Sequence, residues 1–327
     1  MPVIDVHTHM FSQEYFDILM NEGAPRYSKR IGVDGRTEIL SEGARFLMPQ
    51  PGHFDYDIRI AAMDKAGVDI AIVTLTAPNC FFGTPEVSLR AARVVNDDMA
   101  RAQKDHPDRI RWMVSVPWEY PDMAVAELER GVANGAVGVM VLANINGRSL
   151  TDPAFAPVWK AIDAHGLPVL IHPTTPPGYE QMDLEEHSLT GSIGFMFDTS
   201  LAVGRMIFDG FFDTYPNLKI IASHAGGALP YIIGRLDRCF EMDPARRKKI
   251  SRAPSTYMRQ IYYDAIAYRQ EALQMCIDIG GQDNVMYGSD YPHTIGDMAG
   301  VLGRVNALPA SYREKVKGEN ARRIFRL

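Results

Sequence analysis

The chain is poor in cysteine: Cys80, Cys239 and Cys276 are the only three in 327 residues, widely spaced and with no C-x-x-C pair. That excludes a disulfide framework and a thiolate zinc site, and a reducing cytoplasm is the expected setting. No stretch approaches the roughly 18 apolar residues that a spanning helix needs. The opening Met1-Pro2-Val3-Ile4-Asp5-Val6-His7 has no basic segment leading into an apolar one, so a soluble, unprocessed protein with no membrane role is expected. Basic charge is not in excess either. With 34 Lys and Arg against 40 Asp and Glu, the formal net charge is −6 and the pI about 5.9. Nucleic acid is therefore not the expected partner, and the run Arg246-Arg247-Lys248-Lys249 is read as solvated surface. The chain also lacks low-complexity tracts and linkers. The expected partner is small, or is another protein.

What is present is an ordinary globular composition, 46% hydrophobic and 23% charged, with material for a large core. At about 150 residues per domain the length allows two domains, or one α/β barrel. Short runs rich in Val and Ile recur at 3–7, 69–76, 110–117, 136–143, 167–173, 218–224, 261–267 and 285–292. Segments with helical spacing separate most of them, at 57–66, 86–104, 122–133, 152–165, 197–214 and 270–279. Near-continuous apolar strands belong to parallel sheets covered on both faces, and eight of them with helices between close a (β/α)8 TIM barrel of the α/β class. The alternative, a doubly wound open sheet, would carry a glycine-rich phosphate loop after its first strand; His7-Thr8-His9 stands there instead. The expectation is one barrel domain over 1–327, with a small insertion or lid after the first strand at about 24–54. Gly32, Gly35, Gly43, Pro49, Pro51 and Gly52 mark that segment, and a loop so long is usually functional. The connection 176–194 is a second candidate wall.

The strongest local signal is Asp5-Val6-His7-Thr8-His9. Side chains two apart on a strand share a face, so His7 and His9 project together at a separation one metal ion can bridge. Three later strand ends add polar groups: Ile171-His172-Pro173, Ser223-His224-Ala225-Gly226-Gly227 and Gly288-Ser289-Asp290-Tyr291-Pro292. The carboxyl ends of barrel strands converge on one site. Imidazole and carboxylate without thiolate suit Zn2+ first, and Mn2+, Co or Fe also. His7, His9, His172 and Asp290 are the expected ligands of one divalent metal, with a position left open. His224 could serve a second metal, but no lysine for a bridging carbamate stands at the fourth strand's end, where Leu142-Ala143-Asn144 occurs. A mononuclear site with His224 as acid/base is preferred. Phe81, Phe82, Phe195, Tyr291 and His293 near the rim suit a planar ligand, and Asn79 offers a polar contact. His53, His106, His165 and His187 are read as surface or loop residues.

The order H-x-H, H-P, S-H-A-G-G, G-S-D-Y-P resembles the amidohydrolase superfamily, in its branch typified by aminocarboxymuconate-semialdehyde decarboxylase, with γ-resorcylate, 5-carboxyvanillate and isoorotate decarboxylases as similar proteins. The likeness extends through Phe195-Met196-Phe197-Asp198-Thr199, Phe211-Phe212-Asp213-Thr214-Tyr215-Pro216 and Asn320-Ala321-Arg322-Arg323-Ile324-Phe325. Asp198 stands where several of these enzymes carry glutamate. The resemblance implies a metal on His7, His9, His172 and Asp290, with His224 as acid/base. It further implies Arg45 of the insertion as a clamp on the substrate carboxylate, Arg235 as a residue able to reach a neighbouring subunit's site, and hence a homo-oligomer, dimer or tetramer.

The expected activity is therefore non-oxidative decarboxylation of a small aromatic or conjugated carboxylic acid. Either His224 activates water at the metal for addition before CO2 leaves, or the substrate binds the metal directly and Asp290 protonates the ring. A metal-dependent hydrolase of an amide, ester or lactone would use the same residues. A catalytically silent binding barrel is the remaining alternative, against which the intact ligand set argues.

Overall fold

Eight parallel strands follow one another around a barrel in the order of the sequence. They are β1 (Ile4–Met10), β2 (Ile70–Leu75), β3 (Ile110–Val114), β4 (Gly138–Leu142), β5 (Pro168–His172), β6 (Lys219–Ala222), β7 (Tyr262–Asp264) and β8 (Val285–Met286). The structure is a computed structural model and describes all residues except Val33, Gly43 and Glu185. The barrel closes where the segment following β8 returns to β1: the Val6 N–H donates to the Tyr287 carbonyl at 3.0 Å and the His9 N–H to the Tyr291 carbonyl at 2.8 Å. Strands buried on both faces explain the continuous apolar runs; every residue of β1, β4 and β5 is buried. The fold is the expected α/β (β/α)8 TIM barrel.

Helices pack outside, and their ends follow local chemistry. Asp55 caps Tyr56–Ala66 by accepting from the Asp57 and Ile58 N–H groups at 2.8 and 3.0 Å, and Gly67 ends it in the left-handed conformation, φ 78°. The helix expected over 197–214 is two pieces, Phe195–Phe208 and Phe211–Thr214, because the chain turns through Gly210 at φ 71°. Sequence spacing also left Gln13–Glu22, Leu229–Met242 and Met298–Asn306 unassigned.

β1 runs three residues beyond the expected end, which places both His7 and His9 on a regular strand. After it, Tyr27–Ile31, Thr37–Ser41 and Ala44–Leu47 form an antiparallel three-stranded sheet. Gly43, expected to help mark this segment, lies outside the described residues. Tyr27, Arg45, Phe46 and Leu47 of the small sheet face the same cavity as the carboxyl ends of the barrel strands.

Candidate active site

His7, His9 and His172 come together from β1 and β5, with ring centroids 5.0 Å (His7–His9), 5.1 Å (His7–His172) and 4.7 Å (His9–His172) apart. All three are essentially sealed from solvent. Asp290 enters from the loop after β8, and its Oδ1 lies 3.1 Å from His9 Nε2, 3.4 Å from His7 Nε2 and 3.9 Å from His172 Nε2. Its Oδ2 is 3.6 Å from His224 Nε2. The sequence-predicted set of five is thus one cluster.

The far nitrogen of each ligand candidate is held. His7 Nδ1 lies 2.6 Å from Asp264 Oδ2, and His172 Nδ1–H donates to its neighbour's carbonyl, that of Pro173, at 2.7 Å. His9 Nδ1 is 3.0 Å from Thr74 Oγ1, whose own hydrogen goes to the Thr8 carbonyl, so the imidazole donates. With Nδ1 donating, each Nε2 presents a lone pair toward Asp290. The Nε2 atoms of His7 and His172 are buried with no hydrogen-bond partner among the described residues. Burial also drives His9 well below the ordinary histidine range and His172 down to about 4, the neutral form a cation requires. Buried lone pairs converging on a carboxylate fit a divalent metal and fit little else.

His224 and Asp290 share a backbone feature. Each is a non-glycine residue in the left-handed region, φ 53° and 60°, a strain of about 1–3 kcal/mol that the surroundings must hold. At His224 the restraint is Asp264. Its Oδ2 accepts the His224 N–H at 2.9 Å as well as His7 Nδ1, and its Oδ1 accepts the Ala225 and Ile266 N–H groups, both at 3.0 Å. Burial alone would raise the Asp264 pKa, but the bonds from His7 and the backbone outweigh it and hold the carboxyl below its usual range. Asp264→Ala is expected to weaken metal binding by about 10–100-fold and to lower activity with it, as metal titration and turnover would read. Unchanged metal affinity would remove Asp264 from the support of the site.

Sequence reasoning missed Asp264, although its place at the end of β7 was a legible signal. It also missed Arg59, fully buried, which donates to Thr8 Oγ1 and the His9 carbonyl and sits 4.9 Å from the Tyr291 ring centre. Nothing in a helical window marks that arginine as internal. His53, expected as a surface or loop residue, stands in the short turn Pro51–His53 but is not at the surface: it is fully buried, 5.0 Å from the Phe11 ring and 5.1 Å from His293, with Nδ1 accepting the Gln50 N–H at 2.9 Å.

A cavity of about 1740 Å³ opens above the cluster, and His172, His224, Asp290 and His293 line its floor. Phe81, Phe195 and Arg45 line it too, Phe195 with its ring 6.3 Å from that of His172. Arg45 Nη2 donates to Ser188 Oγ at 2.7 Å and Nη1 lies 3.6 Å from Glu38, so it links the small sheet to the wall at 176–194. Asn79 is elsewhere. It is fully buried and outside the lining, with its amide on Ser115 Oγ at 3.2 Å and its oxygen accepting the Cys80 N–H at 3.0 Å, so no group remains to meet a ligand. Phe82 and Tyr291 are likewise not lining residues, and Arg235 stands exposed on Leu229–Met242. Asn144, in the place a carbamate lysine would need, holds Asp198 at 3.0 and 3.1 Å.

An H-x-H strand and three further strand ends converging on one imidazole–carboxylate cluster define a barrel of the amidohydrolase kind, with a site fitted to a divalent metal. Residues 4–327 match the model of the amidohydrolase family, and the chain belongs to it. It is 27% identical over 328 residues to 2-amino-3-carboxymuconate-6-semialdehyde decarboxylase of Dictyostelium discoideum, covering 97% of this chain and 90% of that protein. The 5-carboxyvanillate decarboxylase of Sphingomonas paucimobilis superposes with a TM-score of 0.87 at 28% identity, over 100% of this chain and 99% of that one. The 5-carboxyvanillate decarboxylase of Novosphingobium aromaticivorans, complexed with manganese and 4-hydroxy-3-methoxy-5-nitrobenzoic acid, gives 0.84 at 26% identity, over 100% and 96%.

Proposed function

We propose that this chain is a metal-dependent, non-oxidative decarboxylase, a carboxy-lyase that releases CO2 from a small aromatic or conjugated carboxylic acid. The observation that carries the reading is the set of three imidazole Nε2 atoms facing Asp290 at the floor of an open cavity. His7, His9, His172 and Asp290 would hold one divalent ion, which when bound supplies an electrophilic centre for a substrate oxygen and for the electrons left by departing CO2. Zn2+ is the ion an imidazole-rich set favours, and the manganese of the Novosphingobium enzyme supports Mn2+ as the alternative.

The chain's own residues then divide the work. His224, with Nε2 3.6 Å from Asp290 Oδ2 and part of its ring open to the cavity, holds the proton and passes it to the carbon that loses CO2. Asp290 shares that proton through its second oxygen. The electron pair of the broken C–C bond stays on the carbon and takes up the proton, so no oxidant is needed. The guanidinium of Arg45 exchanges Ser188 and Glu38 for the substrate carboxylate in a bidentate pair. Phe81 and Phe195 wall a planar ring and exclude water.

Residues 1–327 are read as one barrel domain with the small sheet as its lid. Three unpaired cysteines accord with a cytoplasmic setting, and among the described residues no helix is long and apolar enough to cross a membrane. A homo-oligomer, dimer or tetramer, has support in the exposed Phe197, Leu201 and Tyr231. They lie on helices that the Ala228 N–H to Ser200 Oγ bond of 2.8 Å ties together, and Arg235 is on the same helix as Tyr231. Light scattering showing only monomer at micromolar concentration would withdraw Arg235 from the site. The function itself is tested by CO2 release from 2,3- and 2,6-dihydroxybenzoate, 5-carboxyvanillate, uracil carboxylates and aminocarboxymuconate semialdehyde. At least one is expected to be turned over; hydrolysis of a lactone panel with no CO2 from any acid would overturn the reading.

A further inference from the structure

Two of the three proposed ligand imidazoles have a carboxylate behind them, but only one touches it. His7 Nδ1 meets Asp264 Oδ2 directly, at 2.6 Å. His172 Nδ1–H donates to the Pro173 carbonyl at 2.7 Å, and the N–H of that same peptide unit, carried by Thr174, donates to Asp198 Oδ2 at 2.9 Å. An amide is one resonance unit, so a carboxylate accepting from its N–H raises the electron density on its oxygen. The Pro173–Thr174 peptide thus stands between imidazole and carboxylate, joined to each by one hydrogen bond.

Asp198 has no part in the proposed chemistry. It stands in the first turn of Phe195–Phe208, buried. Its other donor is the Asn144 amide, 3.0 Å from Oδ1 and 3.1 Å from Oδ2, whose nitrogen also donates to the Thr175 carbonyl at 3.1 Å. All these donors are neutral, and no cation pairs with Asp198 among the described residues. Burial therefore pushes its carboxyl up to about 7. A buried carboxylate without a counter-ion is unfavourable, and the hydrogen-bonded path that leaves Asp198 through the peptide ends at His172 Nε2, buried and without a partner.

We propose that Asp198 is a positioning residue for the metal, acting through the Pro173–Thr174 peptide to fix His172 with Nδ1 protonated and to strengthen its Nε2 as a donor to the ion. It does for His172, one peptide removed, what Asp264 does for His7 by contact. The charge of a cation at His172 in turn offsets the buried carboxylate. An anchor for the loop after β5 would need the hydrogen bond from Thr174 but not the negative charge, and that difference separates the two roles. This role rests on the proposed metal site and is independent of which acid is turned over.

Asp198→Asn is the test, since it keeps the volume and an oxygen for the Thr174 N–H but removes the charge. Affinity for Zn2+, measured by competition with a chelator and with no substrate present, is expected to fall by about tenfold, while the metal-free variant melts near the wild-type temperature. Asp198→Glu, which restores the charge, should recover much of the affinity. Wild-type affinity in Asp198→Asn would overturn the proposal, as would an Asp198→Glu protein that binds no better than Asp198→Asn. A metal-free Asp198→Asn protein that melts far below wild type, or does not fold, would also overturn it, by making Asp198 a loop anchor. Failure of the decarboxylase reading shows separately, as the expected order of Zn2+ affinities with no CO2 released from any acid.

Discussion

His172→Ala is expected to empty the metal site and abolish CO2 release. The residue ends β5 with its side chain almost wholly sealed, its Nδ1–H spent on Pro173 and its Nε2 without a partner. Alanine removes one of the four proposed ligand groups and leaves a buried polar hole facing the Asp290 carboxylate. The loss of metal affinity should exceed the roughly 10–100-fold that removing an outer partner costs, and turnover should fall by on the order of 10³ or more. Elemental analysis of the purified variant, beside its CO2 assay and a thermal melt to confirm folding, reads the result. A folded variant with a full metal complement would take His172 out of the ligand set.

His224→Asn separates the proposed acid/base residue from the proposed ligands. Asparagine suits the test because it tolerates the left-handed backbone, φ 53°, that His224 adopts. The Asp264 bonds to the 224 and 225 N–H groups survive the change, so the loop should keep its place. Metal content and KM are expected to stay near those of wild type while kcat falls by roughly 10²–10⁴, the usual contribution of a positioned proton donor. Metal loss comparable to that of His172→Ala would make His224 a ligand.

Much of this architecture was legible because the barrel repeats one unit. Each apolar run had to be a strand covered on both faces, and polar residues at strand ends had to share one rim. The two-residue period of β1 was enough to pair His7 with His9. What sequence could not supply were contacts made by closure and by loop conformation. His53 and His293 are 240 residues apart, and only the return of the segment after β8 to β1 brings their rings within 5.1 Å. Asn79 looked like a loop residue offering its amide to a ligand, but at φ 59° it folds back under the rim and spends that amide on Ser115. Arg59 gave no signal in a helical window, since its partners, Thr8 and the His9 carbonyl, lie on another element. Asp264 lies within the apolar run 261–267, where an aspartate has to satisfy itself against something inside the barrel. Helix 197–214 broke at Gly210, where the left-handed turn overrides the periodicity.

On the proposed chemistry, a proton from His224 takes the place of the departing carboxylate. Turnover of an accepted acid in D2O, followed by NMR and by CO2 trapping, tests this most directly. The expected result is one CO2 per product, one deuterium at the vacated carbon and no consumption of O2. A product that keeps its carboxyl carbon and gains solvent oxygen at a cleaved amide, ester or lactone would contradict it.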